Sequence, residues 1–478
     1  MQQEQFEVLN CLGKYDLIII GGGAGAFAAA IKADELGAKT AIINSGLPLG
    51  GTCVNVGCVP SKTLLHAAEL VHTAKHHNVP GIELTVGKAD YASVVADELT
   101  LVETLRNEKY EQVLKSLANV TFIEGRAAFM STNVVKVGEQ QLEADKFIIA
   151  TGSSAIVPSV EGLTEAGYIT HIDVMQLKTV PKRLAVIGAG PVGLELSQLY
   201  ARFGSQVTIL QRAASIMPRA EPILTEHLQQ ILAKEGIVIK TSVQLTKVVA
   251  ENGAKTVFYS GEAGEAAVEV DEILLAAGKV PNTEGLNLNQ AGVEINDKQA
   301  IVTQPNLQTT QPHIYAVGDV TNLPLRLETT AGREGTYAAE NALSGATKSI
   351  DYHSVPWTVF TDPQLASVGY TEEEQMAELK VCACRSVTFD KLPKALITKR
   401  TEGVIKIAIH PETKVIMGVH ILAPNAGDLI AQAMVLIKNK NTIDDIDDML
   451  PVFPTLSEAI KLAAVSFTRD ITRMSCCT

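Results

Sequence analysis

Two cysteines in a short glycine-flanked segment are the residues of this sequence best suited to redox chemistry. Four residues separate Cys53 from Cys58 in the run GGTCVNVGCVPSK, residues 50–62. On the first turn of a helix this spacing lets the two sulfurs meet, and the positive helix end with a nearby lysine favours a thiolate. A structural disulfide or half of a zinc site is the alternative. A zinc site needs two more close Cys or His ligands, and the segment offers only His66.

A phosphate-binding fingerprint precedes the cysteines. A buried-strand run, a glycine turn, a helix and a second strand follow one another over residues 15–43, with Gly21, Gly23 and Gly25 in the turn and Ala26 at its last position. The glycines let the backbone approach a pyrophosphate at the helix N-terminus, and the last position admits only a small residue for helix–strand packing. Together with the cysteines, this motif predicts a disulfide that exchanges electrons with a bound flavin.

The same pattern occurs a second time. Strand, glycine turn, helix and strand recur over residues 184–210, with Gly188, Gly190 and Gly193 in the turn. One such motif can be an ordinary glycine-rich turn, but its recurrence in the correct strand and helix context favours nucleotide binding. The sequence therefore predicts two bound dinucleotides.

The residues after each second strand indicate which nucleotide is held. Asn44 stands where the first fingerprint prefers an acid for the ribose hydroxyls, and an amide makes that contact more weakly. After the second unit come Gln211, Arg212 and Arg219, so no carboxylate is present for a free 2'-hydroxyl and two guanidinium groups can hold a 2'-phosphate. This predicts NADPH at the second site. The alternative is that either arginine is a solvated surface charge.

Composition excludes several classes of partner. The chain has 478 residues, a formal net charge of -13 and seven cysteines, with a pI near 5.3. No run of Lys or Arg marks a nucleic-acid or anionic-lipid surface. Its apolar stretches are of strand length, and its first residues do not resemble a signal peptide. We therefore expect a cytoplasmic protein that binds neither nucleic acid nor membrane, in which clustered cysteines serve redox or metal chemistry.

The motifs also place domain boundaries. A strand that ends at Thr151 and Gly152 closes the first unit, and a parallel run at residues 273–278 closes the second. A later short strand delivers Asp319 at a turn, where its carboxylate suits a polyol chain such as the flavin's ribityl. The predicted fold is α/β, with two Rossmann-like dinucleotide-binding domains and a C-terminal α+β domain. The predicted segments are residues 1–155 and 283–350 for the first nucleotide domain, 156–282 for the second, and 351–478 for the last.

These residues together resemble the flavoprotein disulfide reductase family, in the branch of glutathione reductase, dihydrolipoamide dehydrogenase and mercuric reductase. The resemblance covers nearly the whole chain. It implies FAD on the first unit, a pyridine nucleotide on the second, and a C-terminal domain that joins two subunits into a homodimer. It further implies that Cys58 faces the flavin, that Cys53 meets the substrate, and that Lys62 approaches the flavin and pairs with Glu195. Positions that match residues lining FAD in such enzymes are Gly25, Gly46, Thr52, Ala127, Asp319 and Leu327.

The substrate depends on what faces Cys53. Disulfide-reducing members carry a histidine and, five residues later, a glutamate that together protonate the departing thiolate. Here Phe453 replaces the histidine and Glu458 remains, so we expect poor disulfide reduction. The chain ends in Cys476 and Cys477, two soft thiols suited to a soft metal, and this ending resembles the tail of mercuric reductases. In those enzymes the pair captures Hg(II) and delivers it to the redox cysteines of the partner subunit.

Some positions depart from that pattern or have simpler interpretations. Mercuric reductases often have a tyrosine where Phe453 stands, and Tyr168 is a candidate for their second active-site tyrosine. We also expect no N-terminal metal-binding domain, so that metal reaches the tail from small thiols or another carrier. Cys382 and Cys384 alternate in a strand pattern that favours packing over metal binding. The predicted helix after the cysteines carries His72, His76 and His77. A solvated helix face is favoured for them over a divalent-ion site.

Three hypotheses follow. The first is an NADPH-dependent Hg(II) reductase in which FAD reduces the Cys53–Cys58 pair, which in turn reduces bound Hg(II) carried by small thiols. The second is a thiol–disulfide reductase of the thioredoxin, glutathione or lipoamide type that uses the tail as an extra relay. The third is a non-catalytic flavoprotein that sequesters soft metal, and it leaves the second nucleotide unit without a role.

Overall fold

The computed structural model describes residues 11–475 and divides them into two compact units. Unit 1 comprises residues up to Pro60, Asp97–Ile156 and Lys279–Tyr352. Unit 2 comprises Ser61–Ala96, Val157–Gly278 and the chain from His353. The first fingerprint and both redox cysteines belong to unit 1, and the second fingerprint belongs to unit 2.

The strands are β1 (Cys11–Ile20), β2 (Thr40–Asn44), β3 (Val120–Glu124), β4 (Ala127–Phe129), β5 (Val134–Val137), β6 (Gln140–Ile149), β7 (Ser153–Ala155), β8 (Arg183–Ile187), β9 (Gln206–Leu210), β10 (Val238–Lys240), β11 (Gln244–Glu251), β12 (Ala254–Gly261), β13 (Gly264–Val270), β14 (Glu272–Leu275), β15 (Lys279–Pro281), β16 (Ile314–Ala316), β17 (Trp357–Val359), β18 (Gln364–Gly369), β19 (Ala383–Thr388), β20 (Val404–Ile409) and β21 (Ile416–Ala423).

The α-helices are α1 (Ala24–Glu35), α2 (Gly51–Val56), α3 (Cys58–His76), α4 (Tyr91–Arg106), α5 (Gln112–Ser116), α6 (Leu163–Ala166), α7 (His171–Val174), α8 (Pro191–Arg202), α9 (Pro222–Lys234), α10 (Leu288–Ala291), α11 (Glu328–Ser344), α12 (Glu372–Leu379), α13 (Pro393–Thr398), α14 (Ala426–Lys438), α15 (Ile443–Asp447) and α16 (Glu458–Val465). None of the helices within residues 11–475 is both long enough and apolar enough to cross a membrane.

Unit 1 is built on one sheet with the order β3-β2-β1-β6-β5-β4, and β16 pairs with β6. The pairs among β3, β2, β1, β6 and β16 are parallel, whereas β4 and β5 run antiparallel. Alternate residues of β1 enter opposite cores: Leu17 and Ile19 pack with the alanines of α1, and Ile18 and Ile20 pack with Phe147. Burial on both faces explains why β1 reads as an uninterrupted apolar run.

Small residues bring α1 and α11 close together above this sheet. A Cβ built on Gly335 would lie 2.0 Å from the carbonyl oxygen of Gly25, and one built on Gly25 would lie 3.1 Å from that of Ala331. Neither position accepts a side chain without moving a helix backbone. The third fingerprint glycine is therefore also a packing residue, which positions α11 against the first nucleotide loop.

Unit 2 contains a second parallel sheet, in the order β10-β9-β8-β14, with α8 following β8. An antiparallel sheet, β11-β12-β13, shares a core with it through Val248, Val257 and Leu275. Toward its C-terminus the unit adds a five-stranded antiparallel sheet, β17-β18-β21-β20-β19, packed with α14 and α16. The predicted class, two Rossmann-like units and a C-terminal α+β part, is confirmed. The predicted segment boundaries remain a prediction.

Candidate functional site

The two redox cysteines lie on separate helices. Cys53 lies in the first turn of α2, and Cys58 is the first residue of α3. Gly57 divides them with φ -130° and ψ -110°, and a Cβ there would lie 2.8 Å from the carbonyl oxygen of Thr52. The prediction that both cysteines occupy one helical turn is therefore wrong, because the chain must turn sharply at Gly57 to bring Cys58 back toward Cys53.

A buried amide holds the redox segment in shape. Asn55 is 7% exposed, and its Nδ2 donates to the carbonyl oxygens of Gly51 at 2.8 Å, Leu49 at 3.1 Å and Pro48 at 3.2 Å. Its Oδ1 accepts from the Arg106 guanidinium at 3.2 Å. The Asn55 side chain thus links the start of the short helix α2 to Arg106 at the end of α4. These bonds limit the motion of Cys53.

The first fingerprint is joined directly to this segment. The backbone N–H of Gly50 donates to the carbonyl oxygen of Gly22 at 2.8 Å. A Cβ on Gly51 would lie 2.7 Å from the Cα of Gly23, and Gly50 and Gly51 have φ of 94° and 62°. Backbone contact this close, in the left-handed region, favours glycine at both positions.

Glu328 completes a compact cluster with the cysteines. One ligand atom from each of Cys53, Cys58 and Glu328 lies within 4.8 Å of the other two. Hydrogen bonding with Cys58 and burial raise the pKa of the Cys53 thiol. Burial also raises the pKa of Glu328, against a hydrogen bond with Cys53 that lowers it. Sequence reasoning missed Glu328, and the only signal was its position directly after Leu327, which was predicted to line FAD.

Two further ionisable side chains interact with the cluster. Burial raises the pKa of Tyr110 to about 12, and the charges of Glu328 and the two cysteines add to the effect. Its ring packs edge-on against Phe27 with the centroids 4.9 Å apart. Burial lowers the pKa of Lys279, whereas Asp319 and Cys58 act to raise it. Lys279 therefore provides positive charge near Cys58 within unit 1.

The carboxylate of Asp319 lies at a tightly held turn. The Ser153 hydroxyl donates to Asp319 at 2.6 Å. Beside it, the backbone N–H of Gly318 and the hydroxyl of Tyr352 donate to the two oxygens of the fully buried Glu334, at 2.6 Å and 2.8 Å. Gly318 has φ of 72°, a value that favours glycine. Glu334 thus fixes the turn that presents Asp319.

The other residues that the sequence assigns to the first nucleotide unit also belong to unit 1. Thr151 donates from its hydroxyl to the carbonyl oxygen of Asn282 at 2.8 Å, and Asn282 returns a bond to the Thr151 carbonyl at 2.9 Å. Asn44 ends β2, where its Nδ2 donates to the carbonyl oxygen of Leu47 at 3.0 Å. The remaining members lie in unit 1 as well: Gly21, Gly23, Gly25, Ala26, Gly46, Thr52, Ala127, Gly152 and Leu327.

The first fingerprint fits a pyrophosphate. Gly21 has φ of 131°, and a Cβ there would lie 2.2 Å from the carbonyl oxygen of Ala150. Gly23 is the N-cap of α1 and has no side-chain capping bond, so the first N–H groups of the helix are available to an anion. Nothing lies within 4 Å of a Cβ built on Gly46. The loop therefore combines a tight turn, a helix N-terminus and open space.

In unit 2, Lys62 and Glu195 form the predicted ion pair. Their charged atoms lie 2.7 Å apart, and the Glu195 side chain is 7% exposed. The other Glu195 oxygen accepts the backbone N–H of Phe360 at 2.8 Å. Lys62 also lies 4.7 Å from the centre of the Phe360 ring. The carboxylate thus has a partner on each oxygen, which makes it a rigid support for the lysine.

The second fingerprint has the same construction. Gly188 has φ of 108°, a Cβ on Gly193 would lie 2.1 Å from the Gly188 carbonyl oxygen, and nothing lies within 4 Å of a Cβ on Gly190. Gln211 accepts the backbone N–H of Ala189 at 3.1 Å, a contact that sequence reasoning missed. It therefore braces the loop.

The predicted 2'-phosphate ligands, Arg212 and Arg219, are both exposed beyond β9. A solvated surface charge is the alternative for either one, and exposure alone fits both interpretations.

Other predicted positions fall elsewhere. Glu458 accepts the backbone N–H of Thr455 at 3.0 Å, and Phe453 is 45% exposed. Tyr168 packs against the core beneath the second parallel sheet. The sulfurs of Cys382 and Cys384 lie 2.6 Å apart. Cys476 and Cys477, the predicted metal-capturing pair, lie outside the described residues.

Comparison with known proteins decides the family. The family model "Pyridine nucleotide-disulphide oxidoreductase" matches residues 15–342, and the dimerisation domain of the same family matches residues 355–464. The chain belongs to this family. It is 39% identical to a mercuric reductase of Lysinibacillus sphaericus and 39% identical to one of Staphylococcus aureus. Each match covers 97% of this chain and 84% of the relative.

Solved structures agree on the fold. The Cu(II) complex of the HOCl-induced flavoprotein disulfide reductase RclA from Escherichia coli superposes with a TM-score of 0.85 at 27% identity. That match covers 96% of this chain and all of RclA. As a pyridine nucleotide-disulphide oxidoreductase, the chain uses FAD and NAD(P)H, and its dimerisation domain supports a homodimer.

Proposed function

We propose that the chain is an NADPH-dependent Hg(II) reductase. The observation that carries the proposal is the convergence of Cys53 and Cys58, in a chain 39% identical to mercuric reductases over almost its whole length. Two thiolates at this separation suit a soft metal that prefers sulfur ligands. Phe453 supplies no proton for a departing thiolate, and transfer of Hg(II) between thiols requires none at the reduction step.

The cysteines bind the metal by ligand exchange. The thiols of Cys53 and Cys58 replace two small thiolate ligands on Hg(II), and the two released thiols take up the two protons. FAD held by the first nucleotide unit would supply the site with two electrons that originate from NADPH. Those electrons release the metal as Hg(0) and leave two thiolates. Lys62, held by Glu195, is proposed to fix the approach to the flavin.

Residues of the second nucleotide unit are proposed to select NADPH. Arg212 and Arg219 follow β9 and are exposed, so their guanidinium groups are free to reach a 2'-phosphate. Gln211, which stands where an acid would exclude that phosphate, is engaged with the loop backbone. The ratio of kcat/KM for NADPH to that for NADH tests this assignment. Arg212→Ala/Arg219→Ala should lower that ratio by at least about tenfold, because a lost charge pair to phosphate acts on NADPH alone.

The C-terminal pair is proposed to deliver the metal. Cys476 and Cys477 capture Hg(II) from small thiols and pass it by exchange to Cys53 and Cys58 of the partner subunit. We place this activity in the cytoplasm, where reduced thiols carry Hg(II). Cys476→Ala/Cys477→Ala should slow turnover of Hg(II) held by bulky thiols more than of Hg(II) held by small ones. Equal loss with every ligand would argue against delivery.

Substrate comparison is the decisive experiment. Purified holoenzyme is given NADPH with thiol-ligated Hg(II), with glutathione disulfide or with lipoamide, and NADPH oxidation is followed. We expect metal-dependent oxidation and release of volatile mercury, lost in Cys53→Ala/Cys58→Ala. No response to Hg(II), together with rapid turnover of a disulfide, would overturn the proposal.

A disulfide reductase is the second candidate, favoured by the likeness to a protein described as a flavoprotein disulfide reductase. This candidate predicts that the native chain already reduces a disulfide despite Phe453. If the native chain is inactive and Phe453→His gains that activity, the candidate fails.

A further inference from the structure

The carboxyl group of Glu328 lies within ligand distance of the redox sulfurs. Glu328 is the first residue of α11, half-buried, and hydrogen-bonded to Cys53. Among residues 11–475, this is the only group of three or more His, Cys, Asp or Glu side chains close enough to hold one metal ion. The proposed Hg(II) chemistry uses the two sulfurs alone, so the carboxylate has no role in it.

The separations fit a single ion. The three ligand atoms lie within 4.8 Å of one another, so a point about 2.8 Å or less from all three exists even when every separation takes that limit. Bonds from a divalent ion to thiolate and carboxylate run from about 2.0 to 2.3 Å for zinc. Small side-chain rotations therefore place one ion in contact with two sulfurs and one oxygen.

Charge supports the same arrangement. Two thiolates and a carboxylate carry three negative charges, which a divalent ion reduces to one. Lys279, whose charge interacts with Asp319 and Cys58, adds positive charge beside the cluster. A fourth position stays open to water, as in zinc sites with three protein ligands.

We propose that Glu328 is the third ligand of a divalent-cation site at Cys53 and Cys58, and that the reduced chain binds Zn(II) or Cd(II) there through two sulfurs and one oxygen. Hg(II) is satisfied by two thiolates in near-linear geometry, whereas Zn(II) and Cd(II) take more ligands and accept oxygen. Binding releases two thiol protons and transfers no electrons. This inference deepens the proposed function and rests on it only for the reduced state of the same two cysteines.

The site then has a functional consequence. Zn(II) and Cd(II) are not reduced there, so they occupy Cys53 and Cys58 without turnover. We therefore expect both ions to inhibit the enzyme competitively with its thiol-ligated substrate. Glu328 sets this sensitivity to inhibition. Removal of its carboxylate weakens the binding of ions that need three ligands and leaves the binding of Hg(II) almost unaffected.

Direct binding tests the proposal. NADPH-reduced, FAD-loaded protein carrying Cys382→Ala/Cys384→Ala/Cys476→Ala/Cys477→Ala is titrated with Zn(II) or Cd(II) by calorimetry without oxygen. Glu328→Gln should raise the Kd for both ions by at least about tenfold, as loss of a metal-orienting group commonly does. Glu328→Asp should recover part of the affinity. Glu340→Gln, on the same helix and paired with Lys348, should change nothing.

X-ray absorption at the metal edge provides a second readout. One equivalent of Zn(II) should show two sulfur neighbours and at least one oxygen neighbour, and Glu328→Gln should alter the oxygen shell while FAD content stays constant. Equal Kd in the parent and Glu328→Gln would overturn the proposal. Failure of Hg(II) turnover with tight, Glu328-dependent Zn(II) binding would instead count against the proposed function alone.

Discussion

At the residue scale, the Lys62–Glu195 pair is supported from more than one side. Glu195 is buried and accepts a bond on each oxygen, whereas Lys62 is 34% exposed in its side chain and lies over the Phe360 ring. Removal of one partner from a buried pair leaves an uncompensated charge. The decrease in the free energy of unfolding when Lys62 is replaced therefore measures how much the buried Glu195 carboxylate depends on the lysine charge.

Lys62→Met should lower the free energy of unfolding by about 1–3 kcal/mol, the partial exposure of Lys62 reducing the full penalty. Lys62→Met/Glu195→Gln should recover part of the loss, because the amide still accepts from Phe360 without a charge. Denaturant unfolding of both variants and of Glu195→Gln gives the coupling energy. The exposed pair Lys234–Glu402 is the control, and Lys234→Met should cost under about 1 kcal/mol.

If Lys62→Met lowers the free energy of unfolding no more than Lys234→Met does, the hydrogen bond from the Phe360 N–H is sufficient to stabilise the buried Glu195 carboxylate. Flavin reduction by NADPH is measured alongside, since a role beyond stability requires a slower rate in protein that remains folded.

Site residues differed in how far the sequence could predict them. Cys53 and Cys58 follow from spacing within one segment, and Lys62 with Glu195 follows from family motifs. Glu328 could not be predicted, because its approach to Cys53 depends on where α11 begins and how Gly335 packs on α1. Such contacts arise from tertiary packing, and no local pattern records them.

At the element scale, two glycines of the second fingerprint differ in what surrounds them. Gly193 lies against the Gly188 carbonyl oxygen, and Gly190 faces open space with φ of -82°. A side chain at Gly193 must displace backbone, whereas one at Gly190 is accommodated until a nucleotide arrives. The two glycines therefore have different physical roles.

Gly193→Ala should destabilise the nucleotide-free protein by about 1–3 kcal/mol, as overpacking does. Gly190→Ala should leave the thermal midpoint unchanged and raise the Kd for NADPH by at least about tenfold, because the added methyl meets the phosphates. Differential scanning calorimetry and NADPH titration distinguish the two. Equal destabilisation by both substitutions would contradict the assignment.

Helix α4 contains a buried carboxyl group with an unusual ionisation. Glu98 is fully buried, and neither of its oxygens has a hydrogen-bond partner among the described residues. Burial raises its pKa from 4.5 to about 7. Between these values the unfolded chain loses the proton while the folded chain keeps it, so stability falls as pH rises through this window.

Glu98→Gln should therefore stabilise the protein at pH 8 by up to about 3 kcal/mol and have little effect at pH 4. The amide imitates the protonated acid, which is the form the fold accepts. Thermal midpoints measured from pH 4 to 8 test this, with exposed Glu103→Gln on the same helix as the control. A gain independent of pH would mean that packing, and not ionisation, is responsible.

Elements with strong patterns were predicted well. The helix predicted within the first fingerprint unit, residues 15–43, spans Ala24–Glu35, and the helix predicted within the second, residues 184–210, spans Pro191–Arg202. The break at Gly57 was missed, because it depends on the close approach of the Thr52 carbonyl oxygen to Gly57. Local propensity describes segments, and tertiary contact decides where they are interrupted.

At the scale of the whole molecule, the family dimerisation domain supports a homodimer. The proposed delivery of metal by the C-terminal pair acts between subunits, so each working site combines residues of two chains. Such a composite site allows complementation between two defective variants.

Co-expression of Cys53→Ala/Cys58→Ala with Cys476→Ala/Cys477→Ala should restore turnover of Hg(II) held by bulky thiols. With random pairing, roughly one quarter of all sites are complete, since half of the dimers are mixed and each has one complete site. Differently tagged chains allow the mixed dimer to be isolated and assayed. No recovery in pure mixed dimer would mean that the tail serves its own subunit.

The overall architecture was the most predictable level. Two repeated fingerprints, each in a strand–helix–strand context, indicated two parallel sheets, and both are present. The apolar run at Ile314–Ala316 indicates that β16 is a buried strand. Nothing in this run indicates that β16 pairs in parallel with β6, which lies far away along the chain. Pairing between distant strands depends on chain topology.

The contact between Gly51 and Gly23 has an evolutionary consequence. A Cβ on Gly51 would lie 2.7 Å from the Cα of Gly23, and Gly50 donates to Gly22, so we expect a backbone change in the redox segment to require a matching change in the first fingerprint. A chimera that receives residues 50–62 from a distant homologue should keep its activity only if residues 21–26 come from the same donor. We therefore expect the segment that carries Cys53 and Cys58 and the first nucleotide loop to be inherited together.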